Sequence, residues 1–193
     1  MLMATQPGER KTQILQTLAE MLEQPHAARV TTAALAARMQ VSEAALYRHF
    51  ASKAQMFEGL ITFIETSVFT LINQIIQAHP QGLPQARHMV MMLVTFSERN
   101  RGITRVLTGD ALVTEDNRLQ ERINRINDRI EASLKQALRV AVSDGELPGD
   151  ADIAAHASLL THVVLGRWLR YAQSGWRVAP TTHIEPQIKI LLG

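Results

Sequence analysis

The chain has 193 residues, 46% of them hydrophobic, enough to bury the core of one compact domain or of a small module joined to a larger one. It contains no cysteine, which excludes a disulfide framework, a thiol nucleophile and a cysteine-ligated zinc, and which fits a reducing compartment. The formal net charge is only +2, but the excess is concentrated: residues 1–53 hold six basic against four acidic side chains, and the remaining 14 of each sign cancel.

The opening stretch MLMATQPGERKTQ lacks the apolar segment of a secretory signal, and no uninterrupted apolar run is long enough to cross a bilayer, so a cytoplasmic location is expected. Ile14, Leu15, Leu18, Met21 and Leu22 then recur at helical spacing. This first helix should end near Gln24-Pro25, because proline disfavours helical geometry in the residue before it. Thr31 or Thr32 caps the short helix AALAARM by accepting a free amide hydrogen of its first turn, and Ser42 caps the next one. A long helix follows from about Ser52 to Gln77, in which Phe57, Leu60, Ile61, Ile64, Val68, Leu71, Ile72 and Ile75 make one buried stripe.

The run HMVMMLVTF would suit a buried strand by hydrophobicity alone, but its length, its flanks and the lack of a partner strand favour a buried helix. GITRVLTGDAL reads as a short helix after a turn at Asn100 to Gly102. Leu119, Ile123, Ile126, Ile130, Leu134, Ala137 and Ala141 repeat as a seam, with Arg118, Arg122, Arg125 and Arg129 off it on what reads as a solvated face laced with acids. A last long helix from about Asp152 to Ala172 and a short one near His183 to Leu192 complete an all-α chain.

The stretch VSEAALYRHFASK carries the chemistry. With residues 42 to 50 as a helix, Leu46 and Phe50 face the core and Glu43, Ala44, Tyr47 and Arg48 form the opposite patch. The small Ala44 lets the helix approach a base edge or a thymine methyl. Glu43, Ala44 and Arg48 are therefore expected at bases, and Thr31, Thr32, Tyr47, His49 and Lys53 mainly at phosphates, with Ser42 fixing the start of the helix. Lys53 begins the next helix, where helix-end amides also point at an anion. A lone amphipathic helix is usually only a surface helix. Here the capped preceding helix, the MQV turn, the Leu46/Phe50 pair and Lys53 agree on a helix-turn-helix reader of double-stranded DNA.

TTAALAARMQVSEAALYRHFASKAQMF resembles the N-terminal DNA-binding domain of the TetR family of regulators over residues 9 to 57. That resemblance implies a TetR-like fold, with a helix-turn-helix domain over residues 1–53 and a helical dimerisation and partner-binding domain over residues 54–193. The family usually has glycine in the turn where this chain has Gln40; a left-handed backbone there would cost a non-glycine residue on the order of 1 kcal/mol. MFEGLITFIE, SERNRGITRVLTGDAL and RLQERINRINDRIEASLKQALR extend the likeness, over roughly residues 10 to 140, to the nucleoid-occlusion branch of the family, although Arg101 and Asp110 depart from its pattern. Members of that branch are dimers that bind specific chromosomal sites over the nucleoid and, when bound, antagonise the tubulin-like division protein FtsZ. The resemblance implies an FtsZ-tail groove between the long helix and the next, with Phe63 as anchor, Met92 and Leu93 as apolar floor, and Arg99 and Asn100 pairing with the tail. By the helical repeat Phe63 lies about 100° round from the buried stripe, so it should be partly open to solvent.

Other chemistries fit poorly. The seven histidines show no close metal spacing, Glu115 and Asp116 are neighbours in a polar break, and no nucleophile elbow or phosphate loop is present, so neither catalytic nor metal-binding residues are expected, nor a cofactor. The competing expectation is a ligand-responsive TetR-type repressor, which would need convergent polar groups in an apolar cavity of the C-terminal part. The small residues of DIAAHASLLTHVVLGRWLRYA suit close helix packing across a two-fold axis, and a homodimer on palindromic DNA is expected from the last two helices.

Overall fold

The computed structural model describes residues 7–24, 30–113 and 115–193, and all regular structure in them is helical. In chain order the elements are α1 (Pro7–Leu22), α2 (Thr32–Arg38), α3 (Glu43–Tyr47), α4 (Lys53–Ala78), α5 (Gly82–Arg99), α6 (Arg101–Leu107), a 3-10 turn (Asp110–Leu112), α7 (Asn117–Ser143), α8 (Ile153–Gln173) and α9 (Ile184–Leu192). The first helix ends at Leu22; Pro25, invoked to stop it, lies outside the described residues. Side-chain oxygens of Thr31, Ser42, Ser52 and Asp152 accept the amides of Ala34, Ala45, Gln55 and Ala155, so α2, α3, α4 and α8 begin where their caps permit. Of the two threonines considered as a cap, Thr31 takes the role. The reader helix is shorter than residues 42–50: it stops at Tyr47, and the amides of His49 and Phe50 both return to the Leu46 carbonyl.

One apolar core runs from Ile14 and Leu18 of α1 through Met56 and Phe57 of α4 to Trp168 of α8 and Leu192 of α9. Trp168, wholly buried, donates its indole N–H to the Leu93 carbonyl at 3.2 Å, which leaves no stranded donor at the centre of the body. Two crossings are close enough to require glycine. A Cβ on Gly82 would lie 2.1 Å from the Ala141 nitrogen, and one on Gly102 would lie 1.8 Å from the Ala19 carbonyl oxygen, so α5 meets α7 and α6 meets α1 backbone to backbone.

By length and mean composition α4 is apolar enough to cross a membrane, although Glu58, Glu65, Asn73 and Gln74 interrupt it and no uninterrupted apolar run is that long. Its apolar stripe, Met56, Phe57, Leu60, Ile61, Ile64, Val68 and Ile72, is buried in the core instead. The arginines of α7 are not merely solvated beside acids of their own helix. Arg122 and Arg129 both reach Glu65 on α4, and the Arg129 guanidinium lies 3.8 Å from the centre of the Phe69 ring.

Candidate nucleic-acid interface

The α2–α3 pair is held from beneath by Leu35, Ala36, Leu46 and Phe50, all buried. That anchoring leaves Thr31, Ser42, Glu43, Ala44 and Arg48 exposed, with Tyr47 45% exposed and Thr32 and His49 half-buried. Three of these side chains are joined. The Thr32 hydroxyl donates to the Glu43 carboxylate at 2.6 Å and receives the Tyr47 hydroxyl at 3.5 Å. This chain orients the Glu43 carboxylate across the patch, where a carboxylate can accept a hydrogen bond from a cytosine amino group. The tight turn between the helices depends on Gln40, whose φ of 55° is left-handed. Its amide bonds the Ala37 carbonyl while that of Val41 bonds Ala36, the paired closure of a helix that normally uses glycine at this position.

Lys53 is placed differently from the other sequence-picked residues. Its ammonium lies 2.5 Å from the Glu115 carboxylate and 5.5 Å from the centre of the Phe57 ring, and its side chain is only 18% exposed. The pair spans 62 residues and ties the start of α4 to the loop before α7. No local pattern in the sequence announces it.

Behind the reader is a cleft of about 460 Å³ between α1, α4 and α6. Leu15, Ala19 and Glu20 of α1, with Glu23 just past its end, form one wall, Leu60 and Phe63 of α4 the other, and Asn100 and Ile103 close the end. Phe63 is 50% exposed, as its angular position requires. The α5–α6 corner is braced: the Asn100 side-chain amide donates to the Phe96 carbonyl at 2.7 Å, Arg101 to the Tyr171 hydroxyl at 3.1 Å, and Thr181 to Glu98 at 2.5 Å. Of the five residues expected at a partner groove, the fold brings Phe63 and Asn100 into this cleft. Arg99 is exposed beside it on the corner. Met92 is half-buried on α5 and Leu93 wholly buried under the body, so Leu93 has no surface to offer as a floor. The α1 wall was missed from sequence because its residues look like the polar edge of an ordinary amphipathic helix; Gly102, which lets α1 come so close, was the available signal.

The short capped pair of helices, the polar patch and the long helical body define a DNA-binding regulator of the TetR type. Residues 14–60 match the family model described as bacterial regulatory proteins, tetR family, and residues 80–193 the SlmA-like model described as tetracyclin repressor-like, C-terminal domain. Nucleoid occlusion factor SlmA of Marinomonas sp. (strain MWYL1) is 47% identical over 92% of this chain and 90% of its own. That of Idiomarina loihiensis is 44% identical over 98% and 96%. The chain belongs to the SlmA family of TetR-type proteins. Among solved structures, FadR of Bacillus subtilis in complex with stearoyl-CoA superposes with a TM-score of 0.78 over 94% of this chain and 97% of that one, at 12% identity. AibR in complex with isovaleryl coenzyme A and operator DNA gives 0.75 over 95% and 98%, at 17% identity, so the fold is shared far beyond the sequence family.

Proposed function

We propose that this protein is a DNA-bound inhibitor of cell division that occupies palindromic double-stranded sites on the chromosome, binds FtsZ there and antagonises Z-ring assembly over the nucleoid. The observation that carries this reading is the likeness to nucleoid occlusion factors along nearly the whole chain, body as well as reader. A reader alone would fit any member of the TetR family; outputs differ in the body. Under this reading Glu43, Ala44 and Arg48 approach bases, Thr31, Thr32, Tyr47, His49 and Lys53 hold phosphates, and Ser42 fixes the helix between them. The division into a reader over residues 1–53 and a dimerisation and partner-binding body over residues 54–193 belongs to the same reading. The protein is non-enzymatic and works in the cytoplasm, associated with the nucleoid.

The dimer would form on α8, where Ala155, Leu159, His162, Gly166, Leu169 and Gln173 are all exposed at alternating spacings of four and three. Such a seam suits pairing with its own copy, and a Cβ on Gly166 would meet nothing within 4 Å, which leaves room for a partner helix. Two readers would then lie about one duplex turn apart, ~34 Å, as a palindrome demands. The FtsZ tail would dock by inserting an apolar residue beside Phe63, with Arg99 and Asn100 on its carboxylate and backbone groups.

A ligand-responsive repressor is not favoured. The buried polar side chains Gln85, Ser97, Thr104 and Thr161 each donate to a backbone carbonyl; among the described residues the Asn127 side-chain oxygen is the one buried side-chain polar atom without a partner, and a single acceptor is not a convergent set for an interior ligand. The test is to titrate a fluorescent peptide of the FtsZ tail with wild type, Phe63→Ala and Arg99→Asp, with and without DNA recovered from cells bound to the protein. Wild type should bind and both folded variants should lose most of the affinity while keeping DNA. No binding by wild type would end the occlusion reading; equal binding by the variants would move the groove elsewhere.

A further inference from the structure

We infer that Glu115 is an internal stand-in for a DNA phosphate: it holds the Lys53 ammonium in the DNA-free protein, and DNA entry exchanges this carboxylate for a backbone phosphate. The inference rests on the reading that places Lys53 at the interface. Its structural ground is the contact itself. Lys53 is the first residue of α4, directly behind the reader helix, yet its ammonium does not stand free in solvent. It is 2.5 Å from Glu115, the two side chains being 18% and 7% exposed.

A lysine head is a compact point charge without the planar fork of arginine, so it takes a carboxylate or a phosphate oxygen with little geometric preference, and the two anions compete for it. The exchange does not strand the acid. Glu115 immediately precedes Asp116, the N-cap of α7, whose carboxylate accepts the Arg118 amide. A vacated Glu115 therefore stays beside the positive end of a 27-residue helix, where negative charge is favoured. The Lys53 ammonium also lies 5.5 Å from the centre of the Phe57 ring, a contact a phosphate must outweigh together with the carboxylate. By this arrangement the protein lowers its own affinity for DNA of any sequence, and a strong site must out-compete Glu115.

The experiment measures binding of a random-sequence duplex by fluorescence anisotropy across a salt series, for wild type, Glu115→Gln, Lys53→Met and the double variant, with thermal unfolding of each. Glu115→Gln should bind the duplex several-fold to about tenfold more tightly at fixed salt while unfolding at a lower temperature, opposite signs that a merely structural role would not give. Lys53→Met should lower the salt slope by about 0.9, the value of one phosphate contact. In the Lys53→Met background Glu115→Gln should add nothing. A gain that persists in that background is general charge removal and overturns the inference, as does a Glu115→Gln protein that binds no more tightly than wild type while Lys53→Met still lowers the slope. If Lys53→Met leaves the slope unchanged, Lys53 is not at the interface, and that part of the proposed reading falls with the inference. Should Glu115→Gln fail to fold, Glu115→Asp, which withdraws the carboxylate by one methylene, gives the same comparison at smaller amplitude.

Discussion

Replacing Gln40 with glycine should stabilise the protein. Gln40 closes α2 with a φ of 55°, and the bonds from its amide to Ala37 and from Val41 to Ala36 leave it no other conformation. A side chain in the left-handed region costs roughly 1–2 kcal/mol through the contact of its Cβ with the following carbonyl. Glycine escapes that cost but is freer in the unfolded chain, which takes back about 0.5–1 kcal/mol. The net gain is about 0.5–1 kcal/mol, which for a chain of this size raises Tm by about 1–4 °C. Urea and thermal unfolding followed by far-ultraviolet circular dichroism would measure it, with Gln40→Ala as the companion. Alanine keeps the Cβ, so it should stay within about 0.5 kcal/mol of wild type. If Gln40→Gly proves no more stable than Gln40→Ala, the strain assigned to this turn is absent and the reasoning fails.

Arg48→Ala should relax base preference at one or two positions of the site, by about 1–3 kcal/mol each, and leave the others as they were; selection from a randomised duplex library measures this, and a uniform loss at all positions would put Arg48 on phosphate instead. Leu159→Asp combined with Leu169→Asp, at positions 48% and 44% exposed, should give a folded monomer by sedimentation equilibrium at micromolar concentration and sharply weaken binding to a palindrome. A double variant that remains a dimer would remove α8 from the interface.

The helices were legible wherever their signal is local. Thr31, Ser42 and Ser52 mark their own helix starts, the stripe of α4 declares its buried face, and the angular offset of Phe63 is enough to put it half in solvent. The left-handed turn at Gln40 was signalled only by the family resemblance, through the glycine usual at that position; glutamine itself does not announce a positive φ. What stayed hidden depends on residues far apart in sequence. The partner of Lys53 is 62 positions away, and Glu65 gathers two arginines from a helix that begins more than fifty residues later. The cleft escaped because helix pattern alone fixes which face of α1 is apolar, not which neighbour its outer edge meets. Leu93 was misplaced for a related reason, since an apolar residue in a continuous run carries no sign of whether it faces the core or a groove.

The contact of Gly102 with Ala19 has a mechanical consequence. Two helices separated by side chains can tilt a little against one another while rotamers rearrange; two helices meeting at bare backbone have no such slack. Asn100 lies two residues from that point of contact and Leu15 one turn of α1 away from it, and both line the same cleft. The contact therefore ties the α1 wall of the cleft to its Asn100 and Ile103 end, leaving α4 as the wall it does not hold.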